Sequence, residues 1–244
     1  DLAADGAKEL IIIAQDITRY GEQLYGRREL ASLLKEICAI PGPQWIRLHY
    51  MNPDGLTDEL IDCIASEDKI LNYLDIPIQH ASDSVLKAMN RHYSATELDS
   101  LFTKLRKKIP GVVLRTTCMV GFPGESDSDF DALVSFLKKH KIERCGVFEF
   151  SPQEGTPAAE LVPTVSEKES SARADRIRDI AAQYMDSFGN SLIGKNLKVL
   201  VEDYDDRKSR IEVVERLVYH SPGERSVADH RDRIILFIFQ FIGD

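Results

Sequence analysis

The chain has 244 residues, 43% of them hydrophobic, with a formal net charge of -9. That length holds one large α/β domain, or a medium domain with a small appendage, and the apolar content excludes wholesale disorder. The acidic balance argues against broad non-specific nucleic-acid binding, although a local basic patch is compatible with it. Four cysteines, Cys38, Cys63, Cys118 and Cys145, are scattered in apolar company without a CxxC pair. They read as buried thiols of a reducing compartment. The start, DLAADGAKEL, is neither a signal nor a transit peptide, and no apolar run approaches the ~18 residues of a membrane span. A cytoplasmic protein is expected.

DLAADG reads as the last turn of a helix closed by Gly6. A crossover helix needs a strand before it, so at least one strand and its loop are expected to be missing from the front. ELIIIAQ (Glu9 to Gln15) is a short apolar run of the buried-strand type. In RELASLLKEICAI, Leu30, Leu33, Leu34 and Ile37 fall at helical spacing. WIRLHY is the next strand and LTDELIDCIAS the next helix. YLDIPI (Tyr73 to Ile78) leads into SDSVLKAMN and then into a longer helix opened by the capping-box pair Ser94 and Glu97.

VVLRTTCMV leads to a helix from about Ser126 to His140, and CGVFEF is the fifth strand. Strands alternating with helices imply βαβ crossovers and a parallel sheet. The fold class expected is α/β: a partial TIM-type (βα) barrel lacking its first strand, with a flat doubly wound sheet as runner-up. SPQEGTPAAELVPTV then leaves the barrel as a loop. Ser166 and Glu169 form a second capping box for a helix over 166–192, after a barrel domain spanning 1–165. Residues 193–244 are expected to form a small β module with a divergent tail, of which RDRIILFIFQFIGD is oddly apolar.

In a parallel barrel the reacting groups come from the carboxyl ends of several strands. Those ends offer Gln15 and Asp16; His49, Met51 and Asn52; Gln79 and His80; Thr117, Met119 and Gly121; Glu149 and Ser151. Amides, hydroxyls and carbonyls dominate, which suits hydrogen bonding to a polar ligand better than acid–base hydrolysis. In VGFPGES, Gly121 and Gly124 let backbone approach a ligand, Pro123 fixes the turn, and Glu125 and Ser126 favour the helix dipole. His49, His80 and His92 lack metal-ligand spacing. No GxxxxGK(S/T), GxGxxG or GxSxG is present, which lowers phosphate transfer, nicotinamide chemistry and serine hydrolysis. Arg115, in mid-strand, is a candidate partner for a ligand carboxylate.

IPIQHASDSVLKAMNRHYS and RTTCMVGFPGESDSDF closely resemble the methylthiotransferase branch of the radical S-adenosylmethionine enzymes. IIIAQDITRYG and IRLHYMNPDGLTDELI look like the members that act on a ribosomal protein, and VFEFSPQEGTPAA matches the exit from the family's last barrel strand. The likeness covers about Asp1 to Val201. It implies a six-stranded partial barrel between an N-terminal domain and a small β-barrel called TRAM. It also implies S-adenosylmethionine and two four-iron four-sulfur clusters, one held by a CxxxCxxC loop after the first barrel strand. The activity implied is methylthiolation of the β-carbon of an aspartate on the twelfth protein of the small ribosomal subunit, making that protein or subunit the partner. Direct RNA contact is left open, and no membrane is involved.

The chain departs from the family in lacking CxxxCxxC, so no catalytic or metal-ligating residue is assigned and the isolated chain is expected to be inactive. From about Arg207 the tail also lacks a TRAM-like glycine pattern. Carried over by position, Gln15, Asp16, Gln79 and Arg115 are expected around S-adenosylmethionine, with Val120 and Gly121 in backbone contact near its adenine. Asn52 and His80 are expected to face the substrate. The nearest alternative is a methylthiotransferase acting on adenosine in tRNA. A non-catalytic barrel fragment or interaction module is the reading from a different class, and a metal-dependent aldolase is weak for want of ligand spacing.

Overall fold

The computed structural model describes residues 1–200 and 233–237. Five apolar runs become the strands β1 (Glu9–Ile13), β2 (Trp45–Leu48), β3 (Ile70–Asp75), β4 (Val113–Val120) and β5 (Arg144–Glu149). Between and after them lie α1 (Glu22–Tyr25), α2 (Leu30–Ala39), α3 (Asp58–Ser66), α4 (Asp83–Ala88), α5 (Ala95–Lys108), α6 (Asp127–His140) and α7 (Glu167–Leu192). Residues 1–6 make a single turn, with Gly6 at φ 96 and its N–H on the Ala3 carbonyl.

All pairings are parallel, and β1 to β5 lie side by side in sequence order. An order that never reverses sends every right-handed crossover to the same face. A doubly wound sheet needs a reversal, so the arrangement is the partial (βα) barrel. β3 ends earlier than YLDIPI suggests because Pro77 has no N–H for a ladder. Thr116 repairs the gap: its hydroxyl accepts from the Ile78 N–H at 3.2 Å and donates to the Ile76 carbonyl at 2.8 Å.

Side chains divide by strand parity. Ile46, Leu48, Leu74, Leu114 and Cys118 join Leu34, Ile61, Phe102 and Leu133 of the helices in one buried apolar layer. Burial of that kind stabilises by roughly 1.5–3 kcal/mol per large side chain. The other face of the sheet is polar. Glu9 and Arg47, both buried, pair at 2.6 Å with the guanidinium stacked 5.1 Å from the Tyr73 ring, and Asp75 and Arg115 pair beyond them.

Ser94 and Glu97 cap α5 reciprocally as expected. At α7, Ser166 accepts the Glu169 N–H, but the Glu169 carboxylate is drawn to Arg173 one turn on, at 3.0 Å, and does not complete the box. The reciprocal box forms instead at α6, between Ser126 and Asp129. The small β module expected from residue 193 lies largely outside the described residues. Arg233–Phe237 form β6, which joins the main sheet parallel to β1, Glu9 facing Arg233 and Ile13 facing Phe237.

Candidate functional site

The carboxyl ends of β1 to β4 and the side of β5 open into a cleft of about 570 Å³. Gln15, Asp16, Asn52, Gln79, Arg115 and Thr117 line it, together with Arg19, Tyr50, Met51, Pro77, Arg91 and Phe148. The polar ring read from the strand ends is therefore brought together in large part.

Its floor is Asp75. This fully buried carboxylate accepts from Arg115 Nη1 at 2.7 Å through Oδ1, while Oδ2 takes the Tyr50 N–H at 3.3 Å and lies 3.4 Å from His49 Nδ1. Burial alone would raise its pKa. The His49 hydrogen bond and the charge and hydrogen bond of Arg115 outweigh that and hold it below the usual carboxylate range. Arg115, the candidate for a ligand carboxylate, is thus already engaged by an internal one. Asp75 was not singled out in the sequence, although an acid inside the apolar run YLDIPI is itself a signal.

Two non-glycine residues that line the cleft hold left-handed backbone, Tyr50 at φ 57 and Gln79 at φ 64. Gln79 stays there because its N–H and carbonyl are taken by Thr117 O at 2.9 Å and Met119 N at 2.7 Å. Such backbone costs about 1–3 kcal/mol and concentrates at ligand sites. At the other end of the cleft, Asp16 accepts from the Thr18 N–H at 3.0 Å and hydroxyl at 2.6 Å, which turns the chain after β1. Thr18 fits only because residue 55 is glycine, where a Cβ would lie 1.9 Å from its hydroxyl.

His80 does not reach the cleft. It is wholly buried, its Nδ1 accepts from the Ser82 N–H at 3.1 Å, and its Nε2 lies 3.5 Å from Glu125 Oε1. The β3 chain turns at Gln79, so consecutive side chains point to opposite sides. Glu125, read from the sequence as a helix-dipole partner, instead folds inward onto the Gly121 N–H and faces Arg173 at 3.4 Å. Val120 is buried and Gly121 sits behind this carboxylate; neither lines the cleft, and the Gly121 Cα faces Ser170 of α7.

Asp129 ties the two loops together. Hydroxyls of Ser82 and Ser84 after β3, and of Ser126 before α6, donate to its carboxylate. Partial burial pulls its pKa up, but these hydrogen bonds prevail and hold it far below the usual range. The segments after β3 and β4 consequently form one wall.

A cluster is a different matter. Among the described residues no three His, Cys, Asp or Glu side chains are grouped to hold a metal ion. Cys118 and Cys145 lie with sulfurs 3.8 Å apart behind the sheet. Burial pushes Cys38 up to about 11, opposite to what a metal thiolate requires. No described helix is long and apolar enough to cross a membrane.

Residues 2–137 match the family described as the radical SAM superfamily. The ribosomal protein uS12 methylthiotransferase RimO of Lachnoclostridium phytofermentans is 47% identical over 201 residues, 82% of this chain and 46% of that protein. RimO of Geotalea uraniireducens is 48% identical over 206 residues, 84% of this chain and 46% of that one. The chain thus spans about half the length of the curated relatives it matches. Coproporphyrinogen III oxidase (HemN) from Escherichia coli shares the fold with TM-score 0.54 at 12% identity, over 73% of this chain and 52% of that one. The radical S-adenosylmethionine methyltransferase TsrM from Kitasatospora setae does so at 0.51 and 19%, over 65% of this chain and 31% of that one. Family match and barrel agree: the chain belongs to the radical SAM superfamily.

Proposed function

We propose that this chain is the S-adenosylmethionine-binding barrel of a methylthiotransferase whose target is the β-carbon of an aspartate in the twelfth protein of the small ribosomal subunit. The observation that carries this reading is identity near 47% to RimO proteins over the whole barrel, where the polar cleft lies. Gln15 and Asp16 would hold the amino-acid end of S-adenosylmethionine. Gln79 and Thr117 would meet its remaining polar atoms, and Arg115, fixed by Asp75, would supply positive potential rather than a direct ion pair. S-adenosylmethionine supplies, when cleaved, the radical that such chemistry needs.

The described residues do not fit an iron–sulfur cluster, so no step through one is derived. The chain's own part is to bind and orient: a strained Gln79 presents its amide, and the aromatic rings of Tyr50 and Phe148 shelter the opening. By itself the chain binds and does not turn over.

Calorimetry with S-adenosylmethionine, before and after anaerobic incubation with iron and sulfide, tests both halves. Micromolar binding without a stable cluster is expected. No binding at all sinks the cleft assignment, and a cluster that cleaves S-adenosylmethionine sinks the inactivity.

A further inference from the structure

Three guanidinium groups line the cleft, and two of them are engaged. Arg115 pairs with Asp75 at 2.7 Å and Arg19 with Glu22 at 2.8 Å. The third, Arg91, has no carboxylate within ion-pair distance among the described residues, and its Nε is closed off from solvent without a hydrogen-bond partner. Its position is fixed by the backbone: Asn90 turns left-handed at φ 55 at the end of α4, and the Arg91 N–H returns to the Leu86 carbonyl at 2.9 Å.

The wall behind Arg91 offers no negative charge. Tyr93 lies against it, but burial raises the Tyr93 pKa to about 12, against the opposing pull of Arg91, so the phenol stays protonated. Its hydroxyl donates to the Ile78 carbonyl at 3.1 Å. Asp54, nearby, is shared with Arg28 on the outside, 3.9 Å away. In the same lining, Asn52 Oδ1 is a second polar atom shut off from solvent with no partner. A half-buried guanidinium without an anion, beside an unmatched amide acceptor, is an arrangement that stays costly until a ligand completes it.

We propose that Arg91 and Asn52 form a subsite for a carboxylate with an adjacent N–H, the pair of groups an aspartyl residue of a polypeptide presents. A carboxylate received side-on by the guanidinium satisfies its planar fork, and the neighbouring main-chain N–H donates to the Asn52 amide oxygen. The inference rests on the reading of the cleft as a methylthiotransferase site and adds the group that selects the acidic target. The methionyl end of S-adenosylmethionine carries the same two groups, so the test separates the sources.

The full chain and its Arg91→Gln and Arg91→Lys variants are titrated, by NMR chemical shifts, with acetyl-Gly-Asp-Gly-amide and with acetyl-Gly-Asn-Gly-amide. S-adenosylmethionine and its decarboxylated analogue are titrated in parallel, and thermal melting monitors the fold. The aspartyl peptide is expected to bind the wild type about tenfold or more tighter than the asparaginyl peptide. Arg91→Gln abolishes that preference, Arg91→Lys retains part of it, and S-adenosylmethionine binds all three chains alike. Equal binding of the two peptides to the wild type overturns the subsite while leaving the cleft assignment intact. It is equally overturned if Arg91→Gln weakens S-adenosylmethionine but not its decarboxylated analogue, because the carboxylate is then the cofactor's own. Failure of the wild type to bind S-adenosylmethionine instead sinks the reading beneath it.

Discussion

Asp75 and Arg115 face one another across adjacent parallel strands in direct register, with 2.7 Å between Oδ1 and Nη1. The carboxylate is fully enclosed and the guanidinium is 37% exposed, so the two partners are not equivalent. Removing Arg115 as Leu strands a buried negative charge and is expected to cost about 2–3 kcal/mol, toward the low end for such pairs because His49 and the Tyr50 N–H still serve it. Asp75→Asn leaves a cation that water can reach, and costs less. Denaturant melts of the two variants check the ordering.

The same carboxylate sets an acid limit. Its pKa is depressed in the fold, so its contribution is complete above the unfolded value near 4 and is lost as pH falls through the folded one. Wild type and Asp75→Asn should therefore converge in stability below about pH 4. His140 adds an earlier phase. Burial lowers its pKa while Asp99, 2.9 Å away, opposes, so stability is lost as pH falls below about 6.5. Unfolding followed against pH should show His140→Gln removing the upper phase and sparing the lower.

Gly121 is irreplaceable for two separable reasons. Its φ is 74, and a Cβ would lie 2.2 Å from the Ser170 hydroxyl. Gly121→Ala is expected to destabilise by more than the ~1–2 kcal/mol of the left-handed backbone alone. Adding Ser170→Gly should recover the steric part and leave the conformational part. A double-mutant cycle by thermal melting reads the coupling.

Gln79 should divide stability from binding. Glycine relieves the positive φ, so Gln79→Gly is expected to be neutral or to stabilise by up to about 1 kcal/mol while weakening S-adenosylmethionine severalfold. Gln79→Ala loses the amide and keeps the strain, so it weakens binding without the gain. Melting and calorimetry on the pair separate the effects, and unchanged affinity in both removes Gln79 from the ligand.

The barrel was legible because parallel strands buried on both sides read as short apolar runs, and helices announce themselves through Ser94, Ser126 and Ser166. The ring of strand ends was legible for the same reason, since Gln15, Asp16, Asn52, Gln79, Arg115 and Thr117 follow from where each run stops. His80 was misplaced because parity is lost where Gln79 turns left-handed, which no composition signal announces. Glu125 was misjudged because a carboxylate at a helix start normally faces solvent, and its inward turn depends on Arg173, far along the chain. Arg91 was missed because it sits on a helix exit rather than a strand end.

The seat of β6 bears on how the molecule comes into being. Glu9 meets Arg233, so this pairing joins nearly the first residues synthesised to nearly the last. Contacts so distant in sequence form late, after local helices and neighbouring strands. Until Arg233–Phe237 emerge from the ribosome, β1 presents an open row of N–H and C=O groups, a template for any other extended segment. The order of synthesis therefore makes that edge the most aggregation-prone feature of the nascent chain.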